Sequence, residues 1–134
     1  MKIEKLNQAV AIAKKTQQVF IATADAAGAP HIACAGKITV EDGGYLAVTE
    51  WFCPGTVANL RKNKNISIAV WDKLTDTGLQ LLGRVENIQD MAILDGYSPA
   101  FEKQQPLPQV ERKLLIKVEK ILDFKLGPHT DVEE

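Results

Sequence analysis

Cysteine is scarce in this chain of 134 residues. Cys34 and Cys53 are the only two, and no CxxC spacing occurs. With His31 and His129 equally isolated, that argues against a zinc site. Charge of one sign is also lacking: the formal net charge is −1, which gives no argument for nucleic-acid binding. The basic residues at 61–64 are flanked by Asn and read as the solvated end of a helix. No apolar run approaches the roughly 18–20 residues of a membrane span, and the N-terminus carries no apolar signal segment. The expected location is therefore the cytoplasm. HExxH, GxSxG, Walker and GxGxxG motifs are all missing. A strand-helix-strand repeat is missing too, which argues against a doubly wound parallel sheet.

What is present is ordinary globular material, 46% hydrophobic and 25% charged. At this length it predicts one domain over 1–134, burying roughly two-thirds of its unfolded surface. The chain is organised around residues 45–71. Residues 45–49 form a short apolar run with β-branched members, and a Pro-Gly pair in 50–55 breaks it. Thr56 is placed to cap a helix in which Val57 and Leu60 fall at i and i+3. Ile66, Ile68 and Val70 then alternate with Ser67, Ala69 and Trp71, a strand pattern of period two. A helix N-terminus after a Gly-containing turn offers free N–H groups to an anion. The alternative is a cap and nothing more.

Before this stretch, Ile3, Leu6, Val10 and Ala13 make an amphipathic stripe over residues 3–15, so 1–16 reads as an N-terminal helix. Residues 18–24 read as a strand, and 25–30 as a hairpin connection with Gly28 free to take positive φ. Residues 31–40 read as one strand. Ile32, Cys34, Ile38 and Val40 share one face; His31, Ala33, Ala35, Lys37 and Thr39 share the other. Something flat can lie against Ala33 and Ala35 with Lys37 at its edge, or that face is simply solvated. Cys34 reads as core filler, and Cys53, in the central loop, as the more interesting thiol.

Beyond Trp71, residues 78–88 read as a strand with Leu79, Leu81, Gly83 and Val85 inward and Gln80 outward. A short helix over 91–94 and a loop holding Pro99, Pro106 and Pro108 follow. Residues 113–126 complete the sheet, with Leu114, Ile116, Val118, Leu122 and Phe124 on one face and Lys120 interrupting it. Residues 127–134 read as a flexible tail. The expected fold is mainly β: a six-stranded antiparallel split barrel, Greek-key in order, with an N-terminal helix and short connecting helices.

Three pieces, ATADAAGAPHIA (22–33), YLAVTEWFCPGTVANLRKNKNISIAVWD (45–72) and GLQLLGRVE (78–86), together resemble the FMN-binding split barrels related to pyridoxamine 5′-phosphate oxidase. The resemblance implies FMN between two subunits of a homodimer. The phosphate would sit near the loop ending in Thr56, and the ring against residues 31–40 and 45–49. Candidate cofactor residues are then Ala33, Ala35, Lys37, Thr49, Trp51, Gly55, Thr56 and Gln80. Gly55-Thr56 stands where Lys-Thr is common in the family, which leaves Lys37, Arg61 or the loop amides to supply the missing cation. The His and Arg that bind substrate in the oxidase have no clear match, so oxidation of pyridoxamine 5′-phosphate is not expected. A flavin slot needs a flat apolar floor, donors for the ring edge and an anion site. Ala33 and Ala35, Thr49 and Gln80, and Thr56 answer these in turn, while Trp51 and Trp71 either stack on the ring or pack. Two functions follow: an FMN-dependent oxidoreductase of unknown substrate and electron donor, or a non-catalytic module holding FMN, haem or a deazaflavin.

Overall fold

Alternation of apolar and polar residues becomes strand structure over most of the chain, as a computed structural model shows. It describes residues 2–49, 51, 53–93, 110–128 and 131–132. In order, the elements are α1 (Lys2–Thr16), β1 (Val19–Ala24), β2 (Pro30–Ala35), β3 (Lys37–Glu41), a single 3-10 turn (Asp42–Gly44), β4 (Tyr45–Thr49), α2 (Pro54–Lys62), β5 (Asn65–Asp72), β6 (Thr77–Ile93) and β7 (Val110–Asp123). The strands form one sheet of order β2-β1-β5-β6-β7-β4-β3, antiparallel throughout. Its two outermost strands, β2 and β3, are separated in sequence by Gly36 alone. The sheet therefore curls until its edges meet through one residue. This is a split barrel of seven strands, with chain continuity rather than hydrogen bonds between β2 and β3 completing the ring.

Among the described residues the count is seven, not six, because residues 31–40 are two strands. β2 pairs with β1, with Ala35 opposite Val19, and β3 pairs with β4, with Lys37 opposite Thr49. At Gly36 the chain changes partners, and the inward face changes with it. Ala35 and Ile38 are both buried although three positions apart. Lys37 consequently leaves the face of Ala33 and Ala35 and joins exposed Ile32 and Cys34 on the outside. The expected row Ala33-Ala35-Lys37 does not exist, because strict alternation holds only within one strand.

The inner face of the sheet and both helices make one core. From α1 it receives Leu6, Ala9, Ile12 and Ala13, so the buried stripe is rotated from the expected one, with Ile3 exposed and Val10 at its margin. From α2 it receives Val57 and Leu60, and from the preceding segment Trp51. Asn59 donates from Nδ2 to Thr23 Oγ1 at 3.1 Å, tying α2 to β1. The β1–β2 connection forms as expected: Asp25 Oδ1 accepts from the N–H groups of Ala27 and Ala29, both at 2.9 Å, and Gly28 has φ 91°.

β7 carries an irregularity that explains the misplaced lysine. Leu82 pairs with Lys120 and Gly83 with Val118, leaving Glu119 as an extra residue. This bulge moves the core-facing position from residue 120 to Ile121. Leu122 then lies opposite Gln80, whose side the sequence places outward. The strand ends at Asp123, short of the expected Leu126. Residues 91–93 continue β6 rather than forming a helix. Leu94 and the Pro99–Pro106–Pro108 loop lie outside the described residues.

Candidate functional site

Outward-facing residues of neighbouring strands come together by register. Phe20 of β1 lies opposite Ala69 of β5, and Ala69 opposite Gln80 of β6; Ala22 lies opposite Ser67. With Ile32 of β2, 70% exposed, and Trp71 of β5, they line an apolar groove on the outer sheet face. Its volume is about 630 Å³, within the usual range for a small-molecule site. The far wall is Phe124, Lys125 and Leu126, just past the end of β7. Small residues make the floor and aromatic rings the sides. Gln80 supplies the polar edge. Its Nε2 donates to Ser67 Oγ at 2.8 Å, which fixes the amide and leaves Oε1 to accept from an occupant.

A second feature is the start of α2. Pro54 occupies its first turn, where a missing N–H is tolerated, and Cys53 stands at the N-cap without a side-chain cap bond. Thr56 is thus inside the helix and does not cap it. Its N–H donates to the Cys53 carbonyl at 3.1 Å. Its side chain is 0% exposed, and Oγ1 has no hydrogen-bond partner among the described residues; the same is true of Trp51 Nε1. Gly55 is exposed, and the His31 imidazole lies 3.8 Å from where a Cβ on Gly55 would stand. An anion at this helix end meets the first-turn amides, the positive end of the dipole and an imidazole.

Two carboxylates, one at the end of β5 and one in the turn that follows it, are held below the usual carboxylate range. Asp72 is lowered chiefly by Lys15, whose Nζ lies 2.7 Å from Oδ2 and ties α1 to β5. Asp76 is lowered by the Leu126 N–H and then by the Trp71 indole N–H. Among the described residues no cluster of three His, Cys, Asp or Glu side chains suits a metal ion. No helix among them is long and apolar enough to cross a membrane.

A profile of the pyridoxamine 5′-phosphate oxidase family matches residues 6–123, nearly the whole barrel. The chain belongs to that family. Solved structures with the same fold include HupZ of Group A Streptococcus (21% identity, covering 90% of this chain and 94% of that one, TM-score 0.64). Others are an FMN-binding protein of Syntrophomonas wolfei (17%, 95% and 90%, TM-score 0.66) and HutZ, the haem storage protein of Vibrio cholerae (15%, 85% and 89%, TM-score 0.52). No protein of curated function matches the sequence.

Seen as a member of the pyridoxamine 5′-phosphate oxidase family, the chain spreads its expected site residues over several places. Gln80 lies in the groove. Ala35 and Trp51 belong to the core, and Ala33 is half-buried on the same face as Ala35. Gly55 and Thr56 lie at the start of α2, one exposed and one buried. Lys37 and Thr49 face each other across β3 and β4. Lys37 also lines a smaller cleft with Lys14 and Gln17 at the end of α1. Of the two tryptophans, Trp51 is 2% exposed and Trp71 lines the groove. Phe20, Ile32, Phe124 and His31 were not singled out by sequence. The available signal was weak: apolar residues on strand positions opposite the core-facing set, and a histidine beginning the strand after Pro30.

Proposed function

We propose that this protein is an FMN-binding flavoprotein acting as an oxidoreductase, working as a homodimer with the cofactor at the subunit seam. The observation that carries the reading is the outer-face groove. It offers a flat floor of small residues, aromatic walls and one hydrogen-bonding edge at Gln80, which are the features an isoalloxazine ring requires. The exposed Gly55 at the start of α2, beside His31, suits the phosphate. The buried, unpartnered Thr56 hydroxyl one residue further on is a donor suited to the same group. Family membership and the likeness to an FMN-binding protein point the same way.

Dimerisation is supported by the distribution of these residues. The groove and the polar candidates Lys37, Thr49 and Gly55 occupy separate places on one chain, and a second copy is the simplest means of facing one set with the other. The exposed apolar groove also needs cover in water. FMN supplies hydride or electron transfer when bound. The chain's part is to orient the ring edge through Gln80 and exclude water with Phe20, Trp71 and Phe124. Among the described groove residues Lys125 is the only ionisable group, so proton movement falls to the cofactor, the substrate or the partner subunit.

Haem is the competing ligand, given the likeness to a haem storage protein. The described residues lining the groove include no His, Cys, Met or Tyr to ligate iron, which favours the flavin. Purification followed by a visible spectrum tests this directly. The expected result is a yellow protein with flavin absorbance that sediments as a dimer at micromolar concentration and is reduced by a nicotinamide cofactor. A Soret band without flavin, or a flavin-loaded monomer, refutes the reading. Flavin that no donor reduces refutes the enzymatic part and leaves a carrier.

A further inference from the structure

Phe124 and Leu126 are 39% and 82% exposed, so burial does not hold them where they wall the groove. Hydrogen bonds do. The Phe124 N–H donates to the Gly78 carbonyl at 3.0 Å. Oδ1 of Asp76 accepts from the Leu126 N–H at 2.9 Å and from Trp71 Nε1 at 2.9 Å. One carboxylate oxygen thus ties the Trp71 ring to the neighbouring segment 124–126, both of which line the groove. Asp76 sits at φ 48°, in the turn between β5 and β6, a left-handed conformation that Asp and Asn tolerate better than most residues. Gly78 completes the arrangement. A Cβ there would stand 2.3 Å from the Phe124 carbonyl oxygen and 2.5 Å from that of Val70, so the segment lies against β6 only because residue 78 has no side chain.

We infer that Asp76, which does not itself line the groove, is a positioning residue for its occupant. By fixing the Trp71 ring and residues 124–126 together it sets the shape of this end of the slot, and so the affinity for a flat aromatic ligand. The inference rests on reading the groove as the flavin's slot. A carboxylate suits the task because its hydrogen bonds to N–H groups are stronger than those of a neutral acceptor. The donors that lower its proton affinity are the same two that line the groove, with Lys125 adding charge nearby.

The test compares wild type with Asp76→Gly and Asp76→Asn. Glycine removes the carboxylate without straining the left-handed turn, and asparagine keeps an acceptor oxygen and the turn. FMN affinity is measured by fluorescence titration, and exchange of the Leu126 amide by NMR. Asp76→Gly is expected to speed that exchange and raise the FMN Kd by at least about tenfold. Asp76→Asn is expected to remain within about threefold of wild type on both. Wild-type FMN affinity in Asp76→Gly, whether or not Leu126 exchanges faster, overturns the inference. Should wild type bind no FMN, the proposed function falls, and the groove is probed instead with the dye 8-anilinonaphthalene-1-sulfonate. Dye binding altered by Gly and restored by Asn then supports the positioning role, and equal binding by all three proteins overturns it.

Discussion

Replacing Thr56 by Val separates stability from cofactor binding. The side chain is fully buried, and its hydroxyl finds no partner among the described residues. Valine has nearly the same shape and the same branching, so helix propensity and rotamer restriction change little. What changes is the desolvated hydroxyl, whose burial without a hydrogen bond costs about 1–3 kcal/mol. Thr56→Val should therefore stabilise the apoprotein by an amount of that order. A phosphate seated at the start of α2 reverses the sign. A hydrogen bond to a charged group contributes roughly 1.5–3 kcal/mol, so losing it weakens FMN binding by about ten- to a hundredfold. Urea unfolding of the flavin-free proteins gives the first quantity and flavin titration the second. Thr56→Ser is the control, keeping the hydroxyl and affinity while losing a buried methyl and about 1 kcal/mol. The two effects must run in opposite directions. A Val variant that is less stable, or that binds FMN as wild type does, refutes the reasoning.

Gly83→Ala places a Cβ 2.2 Å from the Lys117 carbonyl oxygen, at the β7 bulge. Backbone must move, so the variant should lose about 1–3 kcal/mol or more in urea unfolding, and a loss below 0.5 kcal/mol, on the order of a neutral surface change, would show the bulge to be pliable. Lys37→Met should weaken FMN binding by about tenfold without altering the fold by circular dichroism, whereas Arg61→Met should not; the reverse ranking makes Arg61 the compensating cation. Asp72 is lowered in the folded state by Lys15, so its stabilising contribution is complete above the unfolded value of about 3.9 and is lost as pH falls through the lower folded value. Urea midpoints measured from pH 5 downward should fall, and Lys15→Met should flatten part of that fall. Equal pH slopes in the two proteins would place the acid sensitivity elsewhere.

The strands were legible in the sequence because each buries one face, and period-two alternation records which. Two departures were not, and both arise where a strand meets its partners. Gly36 changes the pairing partner of the chain, a choice made by β1 and β4 rather than by residues 35–37, and the inward face shifts with it. Glu119 does the same within β7, and there a trace was visible: Lys120 falling on an otherwise apolar face is what a bulge looks like before its register is known. For the site, Gln80 was legible because its outward position followed from Leu79 and Leu81 facing in. The groove around it was not. Phe20, Ile32 and Phe124 are unremarkable as strand residues and acquire meaning only when β1, β2 and the segment after β7 lie side by side. Likewise Thr56 looked like a cap, and the helix in fact begins two residues earlier at Pro54.

The strand order also dictates how the chain can be assembled. β1–β2 and β3–β4 are local hairpins, available as soon as the first 49 residues exist. β5 and β6 extend the first of them. The inner edge of β4, however, has a single partner, β7, where Val48 meets Leu114 across 66 positions. Until residues 110–123 have been synthesised the N-terminal half presents two unjoined sheets with unpaired edges, and edges of that kind recruit other chains. Among the described strands β7 comes last in sequence and is the one that unites them, so a chain interrupted before it is expected to aggregate rather than to fold.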